Sequence, residues 1–268
     1  MLKRTLAALA LAAVGLPAVY FGDPYIFILI ALILVLAARE FGQLFRTAGH
    51  QVPLFMLEAG VLLLFTSRVY LQQHAALVLT LVILVAMTWH LVQFEIGRRE
   101  AGLEFAITVA GVLYLGWIGA YLVELRHLPD GLWWFSLVLP SVWLADSFAY
   151  FVGVRFGRHL LSPRLSPKKT WEGYWGGVFF GSLGTMGIGL LMTSLGGPVI
   201  LWWKGLILGA VLSSLTTLGD LGESMLKRYA GVKDSGTLLP GHGGALDRID
   251  SWLWGAALGY PLILWFFM

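Results

Sequence analysis

The sequence lacks cysteine and carries little charge. None of its 268 residues is a cysteine, which excludes disulfide bonds and catalysis by a thiolate. Charged residues make up only 12% of the chain, against about 25% in a typical soluble domain. Hydrophobic residues make up 58%. The scarcity of charge excludes an ordinary soluble domain and predicts an all-α, polytopic integral membrane protein.

Nine apolar segments are candidates for membrane-spanning helices, each of which needs about 20 residues. No clear small-residue cleavage site precedes Gly22, so we interpret the first segment as an uncleaved span rather than a signal peptide. The nine segments lie at 5–22, 24–41, 53–71, 74–94, 103–123, 131–153, 173–194, 199–221 and 251–268.

Lysine and arginine are distributed unevenly between the two ends of these segments. If the N-terminus is cytoplasmic, only Arg68, Arg126 and Lys204 among the 18 basic residues fall on or near the outer side. This bias predicts a cytoplasmic N-terminus, as the positive-inside rule requires. It also explains the net charge of +3 without a nucleic-acid partner. We therefore expect a multi-pass protein of the inner (cytoplasmic) membrane of the cell, with its polar loops facing the cytoplasm.

The composition changes in the middle of the chain. Residues 1–130 carry little chemistry and are interpreted as transmembrane scaffold helices. Residues 131–268 include two cytoplasmic loops, roughly 154–172 and 222–250, which hold half of the 18 basic residues. We interpret the two stretches as a scaffold part and a catalytic part of one continuous membrane domain.

The seventh segment contains glycines at a regular spacing. Gly173, Gly177 and Gly181 recur every four residues and so form one bare face of a helix. Such faces let neighbouring helices approach closely in lipid, and this packing role is favoured over binding of a ligand.

Acidic residues lie at both ends of the second loop. Asp220, Glu223 and Ser224 share one helix face at the end of the eighth segment, and Asp247 and Asp250 open the last segment one turn apart. Acids at helix N-termini offset the helix dipole, which accounts for the second pair but not for Asp220.

A metal site explains both acidic groups. Asp220 lies at the end of the eighth segment and Asp247 at the start of the ninth, the next along the chain. We therefore expect their carboxylates to face one another and to hold a divalent cation such as Mg²⁺. Phosphate oxygens would take its remaining positions. The alternative for the first group is a salt bridge between Glu223 and Lys227 in an ordinary helix.

The second loop also offers positive and flexible groups that suit an anion. Gly243 belongs to a glycine run whose backbone N–H groups can approach phosphate closely. The adjacent His242 could donate to a phosphate oxygen or carry a proton, or it could serve only in a turn. Four basic residues offer charge-assisted hydrogen bonds to phosphate: Lys227, Arg228, Lys233 and Arg248.

The first loop ends in two lysines beside the seventh segment. Lys168 and Lys169 could simply anchor the chain to anionic lipid, but that reading leaves the neighbouring Thr170 and Glu172 unexplained. Asp146 lies late in the sixth segment, where an acid needs a partner. Either lysine or a metal ion is a candidate for that partner.

Two sets of residues closely resemble the characteristic segments of phosphatidate cytidylyltransferases, also called CDP-diacylglycerol synthases. The likeness in detail covers residues 146–251 and shows no departure at charged positions. The first set is 146–150 (DSFAY) with 166–173 (SPKKTWEG). The second set is 224–228 (SMLKR), 233–236 (KDSG), 239–244 (LPGHGG) and 246–251 (LDRIDS).

The resemblance implies an all-helical membrane enzyme, a homodimer, that joins CTP to phosphatidic acid and releases pyrophosphate. It implies Mg²⁺ held by Asp220 and Asp247, and it allows a K⁺ ion beside it. The residues expected to act in catalysis are Asp220, Asp247, Lys227, Asp250 and Glu223. The residues expected to bind substrate are Lys168, Lys169, Ser224, Arg228, Lys233, His242, Gly243, Arg248 and Asp146.

Two other functions compete with this expectation. A CTP-dependent lipid kinase would use similar groups but would transfer the γ-phosphoryl group. An anion transporter, from a different class, would place charges near the bilayer midplane in two related halves. The charges here cluster at one face and the halves are unlike, which favours the synthase.

Overall fold

The computed structural model describes residues 2–236 and 243–268, with side chains from residue 12 onward. Helices dominate this part of the chain. Their bounds are α1 (Leu2–Phe21), α2 (Tyr25–Thr47), α3 (Leu54–Tyr70), α4 (Ala75–Glu95), α5 (Ala101–Gly111), α6 (Ile118–His127), α7 (Gly131–Phe156), α8 (Trp171–Ser194), α9 (Trp202–Leu215), α10 (Thr217–Tyr229) and α11 (Leu246–Phe267). A 3₁₀ turn (Gln72–His74) precedes α4, and a π-helical turn (Val112–Trp117) joins α5 to α6.

Six helical segments within the described ranges are long and apolar enough to cross a membrane. This confirms the prediction of an all-α integral membrane fold. The number of nine spans and the cytoplasmic N-terminus stay predictions from the sequence. The six segments are Tyr25–Thr47, Gln72–Glu95, Ala101–His127, Gly131–Phe156, Trp171–Ser194 and Trp202–Tyr229.

Helix α2 extends six residues beyond the segment expected from hydropathy. Its last turn contains no helix breaker before Gly49, which adopts a left-handed φ of 100°. The N–H of His50 donates to the carbonyl of Phe45, and the N–H of Gly49 donates to that of Arg46. These two bonds form a Schellman motif, which ends the helix by satisfying its last carbonyls. Glu40 therefore lies about two turns before the end of the helix, rather than next to its end.

The chain forms two compact units. Unit one comprises Met1–Val123 and Leu226–Ile249, and unit two comprises Glu124–Met225 and Asp250–Met268. In unit one, α3 lies against the π-helical turn, because a Cβ atom at Gly60 would come within 2.8 Å of Val112. The division of the chain at residue 130 into scaffold and catalytic parts stays a prediction.

In unit two, the glycine face of α8 packs closely against α7. A Cβ atom at Gly173 would lie 2.6 Å from the carbonyl oxygen of Ala149, and one at Gly177 would lie 2.8 Å from that of Ala145. These gaps are too short for any side chain. The structure therefore shows the packing role that the spacing of four predicts for these glycines.

The loop before α8 contains a short antiparallel hairpin, which the sequence did not predict. Strand β1 (Leu160–Ser162) pairs with β2 (Ser166–Thr170). Thr170 ends the second strand and caps α8, because its Oγ1 accepts the N–H of Gly173 at 3.2 Å. Glu172 accepts the backbone N–H of Arg158 at 3.0 Å and that of His159 at 3.2 Å. Thr170 and Glu172 thus hold the hairpin against the start of the helix.

Candidate functional site

In unit two, a lysine from the hairpin meets an aspartate from α10. The side chains of Lys168 and Lys169 point to opposite faces because successive strand residues alternate. Lys168 is exposed, whereas Lys169 is half-buried and places its Nζ 2.6 Å from Oδ2 of Asp220. The carboxylate stands in the first turn of α10. The hairpin therefore directs one of the two predicted lysines to the predicted metal ligand.

Asp146 belongs to the same electrostatic environment. It lies on α7 and is exposed within this chain. The charges of Lys169 and Asp220 both act on its carboxylate. Unit two thus sets one ammonium group among two carboxylates, an arrangement in which the lysine offsets their mutual repulsion.

In unit one, Asp247 is enclosed by four hydrogen-bond donors. Its Oδ1 accepts Lys227 Nζ at 2.5 Å, and the two side chains are only 9% and 13% exposed, respectively. Its Oδ2 accepts the N–H of Gly244 at 2.8 Å, the N–H of Ser235 at 3.0 Å and the Ser235 hydroxyl at 2.8 Å. Oδ2 therefore binds Ser235 and the backbone of Gly244, while Oδ1 binds the lysine.

Gly243 and Gly244, the described part of the glycine run, contact this carboxylate. Gly243 has a left-handed φ of 80°, and a Cβ atom there would lie 2.6 Å from Oδ2 of Asp247. Only glycine combines that conformation with so close an approach. The backbone that we expected to bind phosphate thus turns an N–H group, that of Gly244, toward Asp247. His242 lies outside the described residues.

Glu40 joins the same group of contacts, a role that the sequence did not predict. This α2 residue is buried, and its Oε1 accepts the N–H of Ala245 at 3.0 Å. Its Oε2 accepts the N–H of Leu246 and the Ser235 hydroxyl, both at 2.9 Å. An acid in a largely apolar helix was the available signal. Its partners were hidden because they lie about 200 residues further along the chain.

The remaining predicted residues divide by exposure. Glu223 and Asp250 are buried, and the Asp250 carboxylate accepts the N–H of Ser251 at 2.6 Å. Ser224 is half-buried. Three of the basic residues are exposed and can reach an anion in solution: Arg228, Lys233 and Arg248.

The carboxylates suit a hard cation by their chemistry. Among the described residues there is no cluster of three or more potential metal-ligating His, Asp or Glu side chains. Mg²⁺ does not need one, because it keeps several waters and commonly binds one or two carboxylates together with substrate phosphates. Asp220 and Asp247 supply such oxygen donors, one in each compact unit. Each is ion-paired with a lysine, so cation and ammonium would compete for the same oxygens.

Comparison with known proteins defines the class of molecule. The model of the cytidylyltransferase family matches residues 2–266. A Staphylococcus saprophyticus protein named phosphatidate cytidylyltransferase is 33% identical, over 94% of this chain and 95% of its own length. Proteins of the same name from Synechocystis sp. and Mycobacterium leprae are each 32% identical, over 98% and 85% of this chain and 96% and 76% of their own lengths.

The apolar helices and these comparisons together define a membrane-integral nucleotidyltransferase. The chain belongs to the cytidylyltransferase family. The resemblance noted in residues 146–251 is thereby confirmed, and the likeness extends through nearly the whole sequence.

Proposed function

We propose that this enzyme is a phosphatidate cytidylyltransferase, which joins phosphatidic acid to CTP and releases CDP-diacylglycerol and pyrophosphate in phospholipid biosynthesis. The names of the relatives support this activity, and two of the alignments cover 94% or more of both chains. The observation that carries the proposal is the presence of two lysine–aspartate pairs, Lys169–Asp220 and Lys227–Asp247. Three of these four residues lie in the segments that resemble the family, and Asp220 lies close before the second set.

The reaction makes one bond and breaks another at a single phosphorus atom. An oxygen of the lipid phosphomonoester bonds to the α-phosphorus of CTP. The bond between that phosphorus and the bridging oxygen to the β-phosphate breaks, and pyrophosphate leaves with the electron pair. Both reactants are anions, so alignment and neutralisation of charge must supply most of the rate enhancement. No covalent intermediate with the protein is needed.

The lysine–aspartate pairs provide positive charge in fixed places. Each aspartate holds its lysine Nζ at 2.5–2.6 Å, so an arriving phosphate meets an ammonium group already oriented. Lys227 is largely buried, where its charge acts more strongly than in water. We assign Lys169 and Lys227 to the reacting phosphates.

Exposed basic residues would guide and hold the triphosphate. Lys168, Arg228, Lys233 and Arg248 are exposed and suit this role, since arginine binds phosphate through two parallel N–H groups. Ser224, His242 and Gly243 stay predicted contributors to substrate binding. Glu223, Asp250 and Asp146 would orient the groups that touch substrate.

Asp220 and Asp247 would hold Mg²⁺, which supplies neutralisation of the triphosphate and of the departing pyrophosphate. A K⁺ ion beside it stays part of the proposal. Lys169 and Lys227 lie against these carboxylates, so the residues that would hold the cation also hold the two ammonium groups that we assign to phosphate. We also propose that the enzyme is a homodimer in the inner membrane, with its active site facing the cytoplasm.

The direct test supplies purified protein in detergent with phosphatidic acid, Mg²⁺ and CTP labelled at the α-phosphorus. We expect label in the lipid fraction, unlabelled pyrophosphate in solution, and loss of both on addition of EDTA. Label transferred to lipid only from γ-labelled CTP, with release of CDP, would instead identify a lipid kinase. A turnover that EDTA leaves unchanged would contradict the metal assignment.

A further inference from the structure

We propose that Glu40 is a positioning residue that fixes Asp247 in its working geometry. This inference rests on the proposed function, because it takes Asp247 to act in turnover. Glu40 comes from α2 in the apolar N-terminal part of the chain, where no chemistry was expected. Its carboxylate nevertheless contacts two segments that enclose Asp247. We call them the two arms: the first is the start of α11, and the second contains Ser235.

The first arm is the start of α11. The first N–H groups of a helix have no acceptor within the helix and carry a partial positive charge. Glu40 accepts the first of them, from Leu246 at 2.9 Å, together with the N–H of Ala245, the residue before the helix, at 3.0 Å. Asp247 is the next residue along the chain. The buried carboxylate therefore sets where α11 begins and which way Asp247 points.

The second arm passes through Ser235. The Ser235 Oγ lies 2.9 Å from Oε2 of Glu40 and 2.8 Å from Oδ2 of Asp247. A hydroxyl has one proton, so it donates to one carboxylate at a time and accepts no further hydrogen from an ionised acid. The N–H of Ser235 donates to Asp247 at 3.0 Å as well. Ser235 therefore links Glu40 to Asp247, because its hydroxyl lies within hydrogen-bond distance of both carboxylates.

The backbone approaches Glu40 too closely for this to be an incidental contact. A Cβ atom at either Gly236 or Gly244 would collide with the Glu40 carboxylate. Glycine at both places allows the two arms to close around the acid. A side chain that only stabilised the packing of α2 would need neither glycine.

Glu40→Gln tests the role with little change in size. It replaces one acceptor oxygen by an NH₂ group that must face an N–H or hydroxyl donor. We expect kcat to fall by about tenfold or more, as for loss of one charge-assisted hydrogen bond, with KM for CTP changed less than about threefold. Deuterium exchange of the amides in residues 243–249 should become about tenfold faster, while exchange in α4 stays the same. Glu40→Asp should recover part of the lost kcat.

Glu58→Gln is the matched control. Glu58 lies on α3, is partly exposed and pairs with Arg39 at 3.4 Å, so its variant should keep the wild-type kcat and amide exchange. If Glu40→Gln does not fold, Ser235→Ala removes only the shared hydroxyl and should still lower kcat by about threefold and speed exchange in residues 243–249.

Each measurement can overturn a separate part of the inference. Unchanged amide exchange would show that Glu40 does not hold these arms. Faster exchange with a kcat equal to that of Glu58→Gln would show that it holds them without positioning Asp247 for turnover. The exchange measurement needs no substrate, so it stays informative if the wild-type enzyme fails to use phosphatidic acid and CTP. That failure would refute the proposed function instead.

Discussion

The two lysine–aspartate pairs differ in how much water reaches them. The side chains of Lys227 and Asp247 are 13% and 9% exposed, whereas those of Lys169 and Asp220 are 30% and 35% exposed. A half-exposed pair contributes little to stability because solvent screens it. A buried pair is different, since removal of one partner leaves the other charge without compensation.

Replacement of each lysine by methionine should separate these two cases. We expect Lys227→Met to lower the free energy of unfolding by about 2 kcal/mol or more, because the largely buried Asp247 would lose the ammonium group that lies 2.5 Å from its Oδ1. Lys169→Met should cost less than about 1 kcal/mol. Denaturant unfolding of both variants in detergent measures the difference. Equal losses of stability would show that burial does not distinguish the pairs.

The sequence located the charged residues of the site but not their partners. Asp220 and Asp247 stood out because acids are scarce in so apolar a chain. Helical spacing suggested a bond between Glu223 and Lys227, which stays a prediction, but it could not suggest the bond of Lys227 to Asp247, 20 residues away. Glu40 has no charged partner at helical spacing that could indicate its role. Contacts between residues far apart in the chain leave no local sequence pattern, so they could not be predicted from the sequence.

At the level of elements, α8 depends on its bare face. Gly177 lies where a Cβ atom would be 2.8 Å from both the carbonyl oxygen of Ala145 and the Cβ of Ala149. Gly187, on the same helix, has no atom within 4 Å of such a position. The two glycines therefore share a helix and differ in whether their neighbours leave room for a methyl group.

This difference predicts opposite results for the same substitution. Gly177→Ala should destabilise the protein by about 1–3 kcal/mol, because α7 and α8 would have to separate. Gly187→Ala should be neutral or slightly stabilising, since alanine favours the helix. Thermal unfolding of both variants in one detergent measures this. A loss of stability at Gly187 as large as at Gly177 would contradict the packing account.

The helices themselves were readable from hydropathy, but some of their ends were not. The end of α2 depends on the left-handed conformation of Gly49 and on two backbone bonds, which hydropathy does not register. The β1–β2 hairpin was missed for a related reason. Its strands are too short to show alternation, and Thr170 and Glu172 stabilise it through backbone contacts.

At the scale of the whole molecule, the order of the chain does not follow its compact units. Leu226–Ile249 belongs with the first 123 residues, and Asp250–Met268 belongs with the second unit. The C-terminal stretch that carries the chemistry therefore contributes to both units. Asp220 and Asp247, the two proposed metal ligands, are likewise divided between them.

Because the two aspartates belong to different compact units, each has its own neighbours. We therefore expect turnover to require each aspartate independently of the other. Asp220→Asn and Asp247→Asn keep the shape of the side chain but remove its charge. Asp130→Asn is a suitable control, because Asp130 has a left-handed φ of 57° that asparagine also tolerates.

The most direct measurement is the rate at which α-labelled CTP enters lipid for these three variants, at equal amounts of folded protein and saturating Mg²⁺. We predict that Asp220→Asn and Asp247→Asn each lose about 100-fold or more in turnover, while Asp130→Asn keeps the wild-type rate. Near-normal rates in both active-site variants would contradict the claim that the two carboxylates carry the metal-assisted transfer.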